Sequence, residues 1–346
     1  MRPMHRNVIL AGVTAALVAV PAALAGGESS KATAPPDRAL TLAIIGDIPY
    51  GAAQVAAFPA EIAQINADPN VRRVIHLGDI KNGSSRCDSS YFEARLADFN
   101  RFEDPVVYTP GDNEWTDCHR ANNGGFLPTE RLAEIRNVFF EYRGQTLGKR
   151  RTVKFQSNFF RENVRWSEAG VTFGTVHVVG SSDNQAPWFG DRTAAGQPAP
   201  ETRAEKALRA REYVTRQAAA LAWIDAIFDD AERRRAPGVV LGMQADMYDG
   251  ATIDPAYDPI KAVIADRAER FGKPVLLLEG DSHKFLVDKP ADMPANVVRV
   301  VVQGSAETPH EWLRLGVDPA STQVFSCENV HFTTRTVVPC DAPLAP

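Results

Sequence analysis

Three aspartates each follow a glycine at the end of a short apolar run, and this pattern constrains the fold more than any other feature. The runs are Leu40–Ile45, Val74–Leu77 and Pro105–Thr109, followed by Asp47, Asp79 and Asp112. Apolar runs of this length, bounded by glycine and aspartate, predict strands that are buried on both faces. Segments with helical spacing of apolar residues lie between them. This alternation predicts a parallel sheet with crossover helices.

The three aspartates are expected to meet in one crevice, because ligand sites in such sheets lie beyond the carboxyl ends of the strands. Two later runs, Val239–Met243 and Val275–Leu278, extend the pattern to Gln244 and to the segment Asp281-Ser282-His283. Carboxylates packed this closely repel one another unless cations separate them, so the pattern predicts a cation site. The alternative is that Asp47 and Asp79 cap the helices that follow their strands.

The first 25 residues have the layout of a secretory signal peptide. A basic opening with Arg2 and Arg6 precedes the apolar run Val8–Val20, and Ala23-Leu24-Ala25 forms a small-x-small cleavage pattern. The apolar run is shorter than the ~20 residues that span a bilayer. We therefore predict cleavage near Ala25, a periplasmic or secreted location, and no transmembrane segment in the mature protein.

Residues 26–38 are rich in Gly, Ser, Ala and Pro and predict a flexible lead-in. The composition does not shift again, so residues 39–340 are predicted to form a single domain. The chain has 38 Lys and Arg against 43 Asp and Glu, a mixed and mildly acidic balance. This balance argues against a nucleic-acid binder that depends on a basic surface.

Four cysteines in a chain predicted to be exported favour disulfides over a zinc site, for which no C-x-x-C spacing is present. Four cysteines allow three pairings. We favour Cys87 with Cys118, because their loops are expected to leave neighbouring strands. Cys327 with Cys340 would then close a C-terminal hairpin.

Five sequence blocks resemble, in order, those of the calcineurin-like metallophosphoesterases, the superfamily that includes purple acid phosphatases. The blocks are Gly46-Asp47-Ile48-Pro49-Tyr50, Gly78-Asp79-Ile80-Lys81-Asn82-Gly83, Gly111-Asp112-Asn113-Glu114, Met243-Gln244 and Gly280-Asp281-Ser282-His283. The family blocks are D-x-H, G-D-x-x, G-N-H-[DE], a lone histidine and G-H-x-H. The resemblance covers residues 40–302.

The resemblance implies a four-layer α/β/β/α sandwich of two mixed β-sheets. It implies hydrolysis of a small-molecule phosphoester by a hydroxide that two divalent metal ions activate. By the same resemblance, Asp47 is the first metal-binding aspartate, Asp79 bridges both metals and His283 is a metal ligand.

This chain departs from the family blocks where the family has histidines. Pro49 and Asn113 replace two of them, and neither side chain can do the work of the original. Asp112 replaces a metal-binding asparagine, while Gln244 and Asp281 replace two further histidines. These three side chains can supply oxygen, so we predict them as metal ligands. An oxygen-rich site favours Mg²⁺, Mn²⁺, Ca²⁺ or iron over zinc.

Four further residues are candidates for catalysis or substrate binding. Asn113 occupies the position of the family's leaving-group acid, but an amide cannot transfer a proton. His119 lies in the same loop and could replace that acid, or it is a surface histidine. Lys81 could bind a phosphate oxygen or be solvated, and Tyr50 is expected to line the pocket. The missing histidines also favour a second hypothesis, a catalytically degenerate scaffold that binds a ligand or partner.

Two further histidines lie within apolar strands and are expected to be packed core residues rather than ligands. They are His76 and His177.

Overall fold

A computed structural model describes residues 39–250, 254–340 and 344. The predicted signal peptide and lead-in, residues 1–38, lie outside them, and the single domain over residues 39–340 stays a prediction. Within the described part of the chain, no helix has both the length and the apolar character needed to cross a bilayer.

The described residues form the following strands and helices. The strands are β1 (Leu40–Ile45), β2 (Val71–His76), β3 (Pro105–Tyr108), β4 (Leu147–Gly148), β5 (Lys154–Phe155), β6 (Val164–Glu168), β7 (Val171–Thr175), β8 (Thr193–Ala194), β9 (Gln197–Pro198), β10 (Val239–Gly242), β11 (Val275–Glu279), β12 (Leu286–Asp288), β13 (Val297–Val301), β14 (Glu311–Val317), β15 (Phe325–His331) and β16 (Val337–Pro339). The helices are α1 (Gly51–Asn66), α2 (Ser89–Phe99), α3 (Pro128–Phe139), α4 (Gly180–Asn184), α5 (Arg203–Arg234) and α6 (Asp258–Phe271).

Two seven-stranded sheets contain most of these strands. The first has the order β16-β15-β14-β1-β2-β3-β4 and the second the order β12-β13-β11-β10-β7-β6-β5. Strands β1, β2 and β3 are parallel, and so are β7, β10, β11 and β13, whereas the outer strands are antiparallel. Both sheets are therefore mixed, with parallel strands at their centres.

The two sheets pack face to face, with helices on their outer faces. Leu42 and Ile75 of the first sheet share a buried apolar cluster with Phe173 and Leu276 of the second. Successive residues of a strand point to opposite faces. Ala43 accordingly lies in another cluster with α1 and α2 residues, and a third cluster joins the second sheet to α5 and α6. The predicted four-layer α/β/β/α sandwich is confirmed.

One predicted strand is wrong. The β-type run Val330–Val337 near the end of the sequence predicts a closing strand, but β15 ends at His331 and β16 begins at Val337. Between them Arg335 adopts a left-handed φ of 60°, and the backbone N–H of Thr336 donates to the Thr334 hydroxyl. This local side-chain bond favours a turn over a continued ladder.

Both predicted disulfides are confirmed, and the zinc alternative is wrong. Cys87 is bonded to Cys118, and both residues are fully buried. Cys327 in β15 is bonded to Cys340, just beyond β16, and closes the C-terminal hairpin.

Removing the Cys87–Cys118 bridge is expected to destabilise the protein more than removing the other bridge. The pairs are separated by 31 and 13 residues. Chain-entropy arguments assign about 4 and about 3 kcal/mol to loops of these lengths. Urea unfolding of the two double Cys→Ala variants measures both losses. An equal or smaller loss for the Cys87/Cys118 variant would contradict this expectation.

Candidate metal centre

The carboxyl ends of the central strands bring the predicted ligands together from both sheets. Asp47 and Asp79 follow β1 and β2, and Asp281 follows β11 of the second sheet. The backbone N–H of Asp281 donates to both carboxylate oxygens of Asp47, at 3.1 Å each. Oxygen atoms of Asp79, Asp112 and Asp281 lie within 4.8 Å of one another. The predicted convergence of separate strand ends is confirmed.

The helix-capping alternative is wrong for both aspartates. The residue that precedes α1 is Tyr50, and the residue that precedes α2 is Asp88. Asp47 and Asp79 instead have left-handed φ values of 54° and 55°. Non-glycine residues rarely adopt this conformation, and it persists only where the surrounding structure imposes it. The backbone of each loop therefore positions its carboxylate, and neither aspartate starts a helix.

One set of potential ligands, which we call the histidine-side group, comprises Asp47, Asp79 and His283. Nε2 of His283 lies 3.6 Å from Oδ1 of Asp47. The hydroxyl of Tyr50 lies 3.1 Å from Oδ2 of Asp79 and 3.4 Å from Nε2 of His283. Tyr50 therefore lies beside the group, where it was expected to line the pocket. Burial lowers the pKa of His283, which favours the neutral imidazole that ligates metals.

A second set, the carboxylate trio, comprises Asp79, Asp112 and Asp281. The side-chain nitrogen of Gln244 donates to all three, at 3.3, 3.3 and 2.9 Å respectively. The side-chain oxygen of Gln244 accepts from the backbone N–H of Gly180 at 2.7 Å. Gln244 was predicted to ligate through this oxygen, but the structure turns the nitrogen toward the carboxylates instead.

The electrostatics of the site fit a cation. Burial is the largest cause that raises the pKa of Asp79 well above its usual value, and the charges of Asp112 and Glu114 add to it. The pKa values of Asp47 and Asp281 are also raised, first by burial. Buried carboxylates that repel one another must bind protons or cations, and oxygen ligands suit hard divalent cations.

Asn113 and Lys81 stabilise the loops around Asp79. The side-chain nitrogen of Asn113 donates to Oδ2 of Asp79 at 2.6 Å and to the Tyr50 hydroxyl at 3.1 Å. The ammonium of Lys81 donates to the backbone oxygens of Asn82 and Asn113, at 2.9 and 2.7 Å. Lys81 is fully buried, so its solvated alternative is wrong. Burial lowers the pKa of Lys81 to about 8. Its hydrogen bonds are to the protein backbone.

The structure does not bring His119 to these carboxylates. Its Nδ1 accepts from the backbone N–H of Phe189 at 2.9 Å, and its ring packs on that phenylalanine. It lines a separate cavity of about 720 Å³, together with Arg192 and Glu205. Burial, followed by the charge of Arg120, lowers the pKa of His119 to about 4. Within the described residues, no hydrogen bond joins it to either ligand set.

The two histidines expected in the core are confirmed there. His76 is fully buried, and its ring nitrogens contact the backbone N–H of Gly78 at 3.2 Å and the carbonyl of Ile48 at 3.0 Å. It therefore links the two loops that carry Asp47 and Asp79. His177 is also fully buried, and its Nδ1 lies 3.0 Å from the carboxylate of Glu162.

Two further residues organise the site, and sequence reasoning missed one of them. Oε1 of Glu114 accepts from the backbone N–H of Asp79 and of Gly111, and from the Tyr108 hydroxyl. Glu114 is the last residue of the third sequence block, Gly111-Asp112-Asn113-Glu114. The hydroxyl of Ser181 donates to Asp112 at 2.7 Å. No sequence pattern pointed to Ser181, which lies in the left-handed turn α4.

The chain matches a family model. A family model described as calcineurin-like phosphoesterase matches residues 40–208, which include Asp47, Asp79 and Asp112. The match covers 169 residues, just under half of the 346-residue chain. No curated protein sequence matches the chain.

Three solved structures are similar to this chain. A dimetal phosphatase from Danio rerio superposes with a TM-score of 0.55 and 12% identity, over 88% of this chain and 99% of that chain. GAP50, the anchor in the inner membrane complex of Plasmodium, gives 0.48 and 9%, over 89% and 91%. The purple acid phosphatase PPD1 from yellow lupin (Lupinus luteus) gives 0.48 and 8%, over 88% and 53%. The first likeness shows the fold.

Proposed function

We propose that this protein is an exported, metal-dependent phosphoesterase that hydrolyses a small-molecule phosphoester. The observation that carries the proposal is the meeting of carboxylates from separate strand ends, beside His283, in a chain that matches the calcineurin-like phosphoesterase family over residues 40–208. The two disulfides and the predicted signal peptide support a periplasmic or secreted location.

The histidine-side group and the carboxylate trio together supply the candidate ligands for divalent cation binding, with Asp79 shared between them. A bound cation would lower the pKa of a water molecule to supply the attacking hydroxide, and would neutralise phosphoryl charge. Asn113 holds the Asp79 carboxylate in position through its side-chain amide. It cannot protonate a leaving oxygen, so the chain favours substrates whose leaving group departs as a stable anion.

Elemental analysis of protein from its native compartment, followed by a phosphoester screen, tests this proposal. We expect a bound divalent cation and hydrolysis that depends on Mg²⁺, Mn²⁺, Ca²⁺ or iron. Aryl phosphates should react faster than alkyl phosphates, because an aryl leaving group needs no acid. Metal-free protein that is inert toward monoesters and diesters would instead support the second hypothesis, a ligand- or partner-binding module. The nitrogen of Gln244 among three carboxylates is the observation that favours that alternative.

A further inference from the structure

The side-chain amide of Gln244 lies where the carboxylate trio converges. Gln244 is fully buried, and its nitrogen is within 3.3 Å of an oxygen of each carboxylate in the trio. A cation bound by the same three oxygens would need the space that this nitrogen fills. The amide and a cation therefore compete for one position.

The orientation of the Gln244 amide follows from its hydrogen-bond partners. The backbone N–H of Gly180 can only donate, so the side-chain group 2.7 Å from it must be the oxygen. The reverse orientation would place the amide oxygen against three carboxylates and would leave the Gly180 N–H facing another donor. Both contacts would be unfavourable in a buried site.

The stem of Gln244 is also confined. A Cβ atom added at Gly78 or at Gly111 would lie 2.8 Å from Cγ of Gln244. Two loops that carry candidate ligands thus approach this side chain so closely that only glycine fits. The amide has little room to swing aside for a cation.

We propose that Gln244 takes the place of one of the two cations that the family resemblance implies, and that this chain binds a single divalent cation in the histidine-side group. This inference rests on the proposed metal-dependent function. The Tyr50 hydroxyl lies 3.1 Å from Oδ2 of Asp79 and 3.4 Å from Nε2 of His283, and that nitrogen lies 3.6 Å from Oδ1 of Asp47. Neighbouring ligands about 2.1 Å from one octahedral cation lie about 3 Å apart, so a single ion would bring each of these three pairs slightly closer together.

Replacing a cation with the Gln244 amide changes the charge that the site presents to a phosphoester. A second cation would supply two positive charges, whereas the amide supplies neutral N–H donors. Those donors hold Asp79, Asp112 and Asp281 together, which a cation would otherwise do. The chain therefore keeps the geometry of a two-metal family with a single ion.

Counting bound Mn²⁺ in the full chain by calorimetric titration and electron paramagnetic resonance tests the inference. We expect one Mn²⁺ per wild-type chain, with the spectrum of an isolated ion. Gln244→Glu exchanges the donor nitrogen for an oxygen, and we expect it to bind two Mn²⁺ with the spectrum of a coupled pair. Gln217→Glu, on α5 away from the site, is the matched control and should bind one.

Two bound ions in the wild-type chain would overturn the inference, and this count does not depend on any variant folding. A folded Gln244→Glu chain that still binds one ion would overturn it as well. Two bound ions together with phosphoester hydrolysis would contradict only the single-cation inference. One bound ion with no hydrolysis of any phosphoester would contradict only the proposed function.

Discussion

Asp79→Ala is expected to abolish cation binding and to lower kcat/KM for phosphoester hydrolysis by at least about 10³-fold. Asp79 belongs to both ligand sets, and its carboxylate accepts from Asn113, Tyr50 and Gln244. Removing it deprives the cation of an anionic ligand and leaves the neighbouring donors without their acceptor. Loss of a metal ion's several kcal/mol of transition-state stabilisation corresponds to a rate loss of this size.

Two controls separate a chemical effect from a folding effect. Asp230→Asn alters another buried aspartate, which pairs with Arg234 on α5 outside the site, and should leave cation binding and hydrolysis unchanged. Asp79→Asn keeps the shape of the side chain but not its charge, so it should lose activity with little change in melting temperature. Hydrolysis that survives in a folded Asp79→Ala protein would remove the basis for the metal-dependent assignment.

The central strands could be predicted from the sequence because burial on both faces demands unbroken apolar runs. The predicted bounds of β1 agree with the structure, Leu40–Ile45. The edge of the first sheet could not be predicted in the same way. Strand β15 has mixed exposure and β16 is exposed throughout. The turn between them depends on a hydroxyl contact of Thr334 that residue type alone does not reveal.

The positions of the candidate ligands could be predicted, whereas their contacts could not. Strand topology alone places Asp47 and Asp79 at one edge of the first sheet, because parallel strands share the direction of their carboxyl ends. Asp281 reaches them from the second sheet. The orientation of Gln244 depends on Gly180, which is 64 residues away in the chain. His119 likewise turns toward Phe189, 70 residues away. Such partners follow from the packing of loops that are far apart in the chain, so a local sequence pattern cannot predict them.

Glu114 shows how strongly the site depends on such packing. Oε1 of Glu114 accepts from the backbone N–H of Gly111 at 2.7 Å, from the Tyr108 hydroxyl at 2.7 Å and from the backbone N–H of Asp79 at 3.1 Å. The side chain is fully buried, so water does not replace it as an acceptor. One oxygen therefore fixes the loop after β3 to the loop that presents Asp79.

Glu114→Ala should lower the free energy of unfolding by about 3 kcal/mol, because three buried donors each lose an acceptor at roughly 1 kcal/mol or more. It should also weaken Mn²⁺ binding about 10- to 100-fold, as expected when a residue that orients a ligand is lost. Urea unfolding and calorimetric titration measure the two effects. Glu114→Gln keeps the accepting oxygen and should restore most of the Mn²⁺ affinity. Glu93→Ala, at an exposed position of α2, should change the free energy of unfolding by less than about 0.5 kcal/mol. If Glu114→Ala binds Mn²⁺ as tightly as the wild-type chain, contacts other than this carboxylate hold Asp79 in place.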